Sequence, residues 1–268
     1  MTTKEIPPGH VGNLDASQQE NLRAFWRILM QSWDTNIPSP EVPSSPKPRS
    51  SWRYSFSLSR QPAEEETSAI PSNLLSALKS QGAGANELRA IQTLLTKLPG
   101  EKLRAAFLTT LKQEHPDTLL LRFLRAEKWN VPKAWIKLVS ALDWRVNVYH
   151  VDEEVLLKGE EYALQKSRLE GDSVEKTNGE GFMLQARTGK GHFHGVDKFG
   201  RPIVVIRVRI HDPQGQSSKG LNDFIIQSIE TARIMFVPPM DSIVSQLFLF
   251  SSHWELKANS WGVSGGCF

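Results

Sequence analysis

Apolar residues recur with a helical period through much of the chain, most regularly across residues 117–145. Leu119, Leu120, Phe123 and Leu124 form one stripe at three-to-four-residue spacing. Asp117, just after Pro116, is the expected N-cap, because its carboxylate can accept from the free amides of a first helical turn. Asn130 and Pro132 interrupt the pattern; proline at the start of the next helix loses only an amide that would be unpaired anyway. Trp135, Leu138, Val139, Leu142 and Val146 then resume the period. Two short amphipathic helices joined by a tight turn must bury their stripes against something larger.

The same period marks other segments. Leu22, Phe25, Trp26, Leu29, Met30 and Trp33 line one face of a helix within residues 14–34, and Asp15 with Gln18 has the spacing of a capping box. That aromatic face could dock on the domain or lie in a membrane interface; with only Arg23 and Arg27 flanking it, docking is favoured. Leu88, Ile91, Leu94, Leu95 and Leu98 predict a helix ending near Pro99, and Leu103, Ala106, Phe107, Thr110 and Leu111 predict the next. A further helix is expected over 155–164, and the Gly-, Glu- and Lys-rich residues 171–181 read as an exposed loop.

The period then changes. Asp197, Lys198, Phe199 and Gly200 form a turn between two β-prone runs. Gly200 can take the positive φ that such a turn demands. Ile203, Val204, Val205, Ile206 and Val208 predict a largely buried strand. Leu221, Phe224, Ile225, Ser228, Ile229, Ala232 and Met235 predict a buried helix that stops before Pro238. After Ile243 neither period continues, and residues 244–268 read as an atypical tail without strand or helix punctuation.

Composition refines this picture. Residues 36–86 mix prolines with serines and carry little hydrophobic periodicity, so they are expected to be a disordered insertion. Asn73–Lys79 is the exception, with room for a turn of helix. Lys47, Arg49, Arg53 and Arg60 within the insertion could form a docking or phosphorylation site, but read more simply as solvated charge. Overall, 32 basic residues nearly balance 29 acidic ones, which gives no case for nucleic acid as a partner. One cysteine, Cys267, excludes an intramolecular disulfide and fits a reducing compartment. No window approaches the ~20 apolar residues of a membrane span, so the expected location is cytoplasmic, with any membrane contact peripheral.

Candidate chemistry is sparse. His192 and His194 alternate on a predicted strand, but no third metal ligand is near them in sequence. Gly189, Lys190 and Gly191 lack the spacing of a phosphate loop, and Cys267 has no base beside it. No catalytic residue, metal or cofactor is expected.

Several of these segments resemble one family. LLLRFLRAEKW, followed by a helix that closes on Asp143, Trp144 and Arg145, is similar to the N-terminal signature of CRAL-TRIO proteins. PGHVGNLDASQQENL resembles the N-terminal segment of the family's phosphatidylinositol transfer proteins. The Asp-Lys-x-Gly-Arg-Pro turn with its apolar strand, and the SIETARIMF helix, resemble the CRAL-TRIO domain itself. The resemblance implies a mixed α/β fold: a helical N-terminal module (87–150) feeding a lipid-binding domain (182–250). Family members continue with further helix–strand units, so the expectation is a domain cut short, its tail a read-through or mis-spliced end.

The implied function is non-enzymatic binding of a phospholipid, phosphatidylinositol first, and its transfer through transient contact with membrane surfaces. Phe193, Val204, Ile206 and Val208 are the candidate acyl-chain contacts, with simple core packing as the alternative for each. A basic position of the family signature is Glu127 here, leaving Arg125 and Lys128 as headgroup candidates. The resemblance further implies that tyrosines used for choline lipid are replaced by Phe193 and Val204, which removes hydrogen bonds worth ~0.5–1.5 kcal/mol each. The competing readings are a regulatory protein that binds a partner through the first helix and the Ser/Pro segment, and a non-functional gene product.

Overall fold

The computed structural model describes residues 6–35, 70–212, 217–236 and 241–247. Among these, eight α-helices precede the first strand. The first six are α1 (Ala16–Trp33), α2 (Ser72–Ser80), α3 (Ala85–Lys97), α4 (Gly100–Leu111), α5 (Pro116–Ala126) and α6 (Val131–Asp143). Their stripes converge on one core that includes Phe25, Leu29, Leu78, Ile91, Leu120 and Trp135. Each such fully buried side chain stabilises the fold by about 1.5–3 kcal/mol. The one polar atom of the Trp135 ring is satisfied inside that core, donating to Ser32 Oγ at 3.1 Å.

Local signals explain the helix starts. Asp15 caps α1 reciprocally: its carboxylate accepts from Gln18 N at 2.8 Å, while Gln18 Oε1 accepts from Asp15 N at 3.2 Å. Asn130 caps α6 by accepting from Lys133 N at 3.0 Å. For α5 the expected cap is corrected. His115 is the N-cap, its ring accepting from Asp117 N at 3.2 Å, and Pro116 takes the first helical position. Asp117 is spent elsewhere, accepting from Trp26 Nε1 at 2.7 Å. Trp26, Trp33 and Phe107 form a tertiary aromatic cluster with centroids 5.8–6.4 Å apart, so the aromatic face of α1 is used in packing.

The predicted insertion also needs correction at its end. Residues 36–69 lie outside the described residues, but Ser72–Ser80 is a full helix whose Leu74 and Leu78 are completely buried against α1. After α6 the backbone opens into two π-helical turns, Trp144–Val148 and Val151–Leu156, separated by His150 in the left-handed region. Two helices follow, α7 (Gly159–Ser167) and α8 (Val174–Thr188). The loop expected at 171–181 is therefore largely α8. Ser173 caps it, accepting from Lys176 N at 3.1 Å, and its glycines serve close helix contact instead of turns.

Among the described residues the sheet has three strands in sequence order: β1 (Gly191–Val196), β2 (Pro202–Ile206) and β3 (Val244–Leu247). β1 and β2 are an antiparallel hairpin; α9 (Ser218–Ile234) lies between β2 and β3, which pair in parallel. At the hairpin turn Asp197 Oδ1 accepts from Phe199 N at 2.9 Å and Arg201 N at 2.8 Å, with Gly200 at φ 84°. Two strand expectations change. β2 ends at Ile206, and Val208 starts a single 3₁₀ turn, Val208–Ile210. The tail expected from residue 244 begins instead as a strand: four residues are too few to show alternation, and main-chain pairing with β2 makes the strand. Residues 248–268 lie outside the described residues. α9 is also less buried than its stripe suggested, since Ile225 and Ile234 are exposed while Glu230 and Arg233 are buried.

Candidate functional site

Cross-strand partners on an antiparallel pair share a face. Phe193 stands opposite Val204 and Gly191 opposite Ile206, so Phe193, Val204 and Ile206 lie on one face of the hairpin, all half-buried. Val205 alternates to the other side and is buried. A Cβ on Gly191 would lie 3.5 Å from the Phe224 ring, which places α9 against the face that carries Phe193 and Val204. Phe224 in turn packs edge-on to Phe182 of α8, with centroids 5.7 Å apart. The result is a surface floored by the sheet and walled by aromatic rings, apolar along the β1–β2 hairpin, with Ser245 of β3 beside Val204. Val208 is not part of it, having left the strand.

The headgroup candidates sit elsewhere, at the C-terminal end of α5. Arg125 donates to Gly9 O at 2.8 Å and pairs with the buried carboxylate of Asp241, which also accepts from His10 Nε2 at 3.1 Å. A phosphate reaching Arg125 would have to displace Asp241. Lys128 is exposed, in the left-handed region at φ 52°. Glu127, the reversed charge, is itself neutralised by Lys137 Nζ at 2.8 Å.

A buried ionic network was not anticipated from the sequence. Arg145 donates to Asp152 at 2.8 and 2.9 Å and to Glu230 of α9 at 2.7 Å. Arg233 donates to Glu114 at 2.9 Å, to Thr110 O at 2.6 Å and to Glu230 at 3.2 Å. Arg122 also pairs with Glu114, and Lys112 reaches Asp152 at 2.8 Å. Burial alone would push Glu230 and Asp152 up; their bonds and attraction to Arg145, with Arg233 and Lys112, hold both below the usual carboxylate range. Burial lowers Arg145, but Asp152 and Glu230 outweigh it and raise the guanidinium above its ordinary value. The signal available in the sequence was charge on a helix otherwise apolar: Glu230 and Arg233 stand inside SIETARIMF.

A cleft between α7, α8 and α9 is lined by Tyr162, Lys166, Phe182, Lys219 and Asp223. Its volume of about 30 Å³ holds a water or two, far short of an acyl chain. Among the described residues no group of three or more His, Cys, Asp or Glu side chains converges as a metal site.

The profile of the CRAL/TRIO N-terminal domain matches residues 74–140, and that of the CRAL/TRIO domain matches residues 186–247. The chain carries CRAL-TRIO N-terminal and CRAL-TRIO domain sequence. The N-terminal match spans α2 to α6 and the second match spans the hairpin, α9 and β3. Inclusion of β3 in that match agrees with its pairing to β2 and brings residues 244–247, expected to begin the tail, into the CRAL/TRIO domain. The chain is 27% identical over 262 residues to the phosphatidylinositol transfer protein CSR1 of Eremothecium gossypii, covering 90% of this chain and 57% of that protein. It is also 27% identical over 248 residues to a CRAL-TRIO domain-containing protein of Schizosaccharomyces pombe, covering 87% of this chain and 52% of that one. The chain thus spans little more than half the length of the curated relatives it matches. Among the described residues no helix is long and apolar enough to cross a membrane.

Proposed function

We infer that this CRAL-TRIO chain binds a phospholipid, phosphatidylinositol in the first place, and carries it between membranes without making or breaking bonds. The observation that carries this reading is the shared face of Phe193, Val204 and Ile206, half-buried and walled by Phe224. An acyl chain needs an apolar, non-directional surface, and that face offers one. The relationship to a phosphatidylinositol transfer protein supports the choice of lipid. The absence of hydroxyls at Phe193 and Val204 supports it further, because a choline headgroup gains no hydrogen bond there. Lys128 is the retained headgroup candidate; Arg125 takes part only by exchanging Asp241 for phosphate. The place of action is the cytoplasmic surface of membranes, visited transiently.

Transfer of labelled lipid from donor to acceptor vesicles tests this directly. Phosphatidylinositol should move faster with the purified chain than without it, and faster than phosphatidylcholine. Val204→Asp, which places a charge on the apolar face, should abolish the transfer while the circular dichroism stays that of the parent. No transfer of either lipid, and no lipid in the purified chain by mass spectrometry, would overturn the reading.

A further inference from the structure

The tip of the β1–β2 hairpin exposes large apolar side chains at a turn whose amides at 199, 200 and 201 are bonded internally. Phe199 is 48% and Val196 60% exposed. Gly200 N donates to Asp197 O at 2.9 Å, and Phe199 N and Arg201 N both donate to the Asp197 carboxylate. The same carboxylate pairs with the Arg201 guanidinium at 2.7 Å, which leaves Lys198 as the net charge of the turn. Lys198 Nζ and Arg201 Cζ lie 5.0 and 5.3 Å from the centre of the Phe199 ring, one aromatic side chain framed by two cations. Val196 stands opposite Pro202, on the face that continues through Val204 and Phe193 to Ile206.

We propose that this hairpin tip is the element that inserts into the surface of an anionic bilayer. Three observations select a lipid surface over other partners. The turn amides at 199, 200 and 201 are bonded internally, so entering the poorly hydrated headgroup boundary costs them no water partners. The cations sit beside the ring, where their long stems keep the charge at phosphate level while Phe199 goes deeper. The tip is also braced by Asp197, so little conformational entropy is lost on insertion. Contact there would align the apolar face of the hairpin with the bilayer, giving an acyl chain a continuous path from one to the other. This purpose rests on the lipid-transfer reading; the contact itself does not.

The test places an environment-sensitive nitrobenzoxadiazole label at Phe199→Cys in a chain whose single native cysteine has been removed (Cys267→Ser), with Val174→Cys, at a site 77% exposed, as the control. Vesicles of phosphatidylcholine alone and of phosphatidylcholine with phosphatidylserine are compared. The label at 199 should shift to the blue and brighten, most strongly on the anionic vesicles, while the label at 174 should not respond. Phe199→Ala should lower the vesicle-bound fraction about tenfold, and Lys198→Glu should erase the preference for phosphatidylserine. In both variants the lipid that copurifies should match the parent. Vesicle binding that survives Phe199→Ala unchanged, a silent label at 199, or no binding to either vesicle would overturn the proposal. A chain that holds no lipid while position 199 still enters the bilayer leaves the contact standing and removes only the transfer reading.

Discussion

A Cβ added to Gly220 would lie 2.4 Å from Asn178 O and 2.7 Å from Phe182 N, both backbone atoms of α8. Neither can swing aside as a flexible side chain would. Gly179 is equally close to α7, its Cβ position 2.7 Å from Ala163 O. Glycine is therefore what lets α7, α8 and α9 approach one another, and α9 is the helix that lies against the hairpin. Gly220→Ala should destabilise the chain by about 1–3 kcal/mol, as overpacking does, and a lowered denaturant midpoint with an unchanged slope would report it. Glycines near 171–181 suggested a loop because glycine lowers helix propensity by about 1 kcal/mol relative to alanine. What the sequence could not display is the neighbour: Gly179 meets Ala163 of α7, and Gly220 meets Asn178 of α8, only in the folded chain. The same holds for Asp117, a good cap by its own chemistry until Trp26 claims the carboxylate from 91 residues away.

At the scale of elements, the long apolar stripes of α1, α3, α5 and α6 were readable because their period is regular, and for α1 and α6 because the caps Asp15 and Asn130 are local. The short elements were not. α2 has nine residues, too few to be stable alone, and it sits at the end of a segment whose serines and prolines dominate any averaged composition. Its order comes from burying Leu74 and Leu78 on α1. Leu78→Ala should accordingly cost about 2–5 kcal/mol, like other leucine truncations in a packed core. An equal loss of helical signal and of cooperative unfolding temperature would show that α2 is integral to the module. A variant as stable as the parent would return those residues to the insertion. β3 hid for a related reason, since it depends on the β2 ladder more than on its own alternation. The sheet face itself was partly legible: alternation placed Val204 and Ile206 together, whereas the exit of Val208 into a 3₁₀ turn had no period to announce it.

In the whole molecule, the helical module and the domain that carries the hairpin are joined across the Arg145, Glu230, Arg233 and Glu114 network. Glu114 lies between α4 and α5, Arg145 follows α6, and Glu230 and Arg233 lie on α9, so neither half completes the network alone. Replacing one member leaves its partners as buried, uncompensated charge, and the cost of such a loss is about 3–5 kcal/mol. The sign of the pH dependence follows from the carboxylates. Glu230 and Asp152 are held below their ordinary range in the folded chain. Their contribution is fully present above the unfolded carboxylate value near ~4 and is lost as pH falls through the lower folded values. Glu230→Gln should therefore be less stable at neutral pH, and its stability should also fall less steeply on acidification, because one of the depressed carboxyls is gone. Urea unfolding of parent and variant between neutral pH and the acid limb measures both effects. Parallel acid limbs would mean that folding does not favour the charged form of Glu230, and the two halves would then be held together by packing between α9 and the π-helical turns instead of by the ion network.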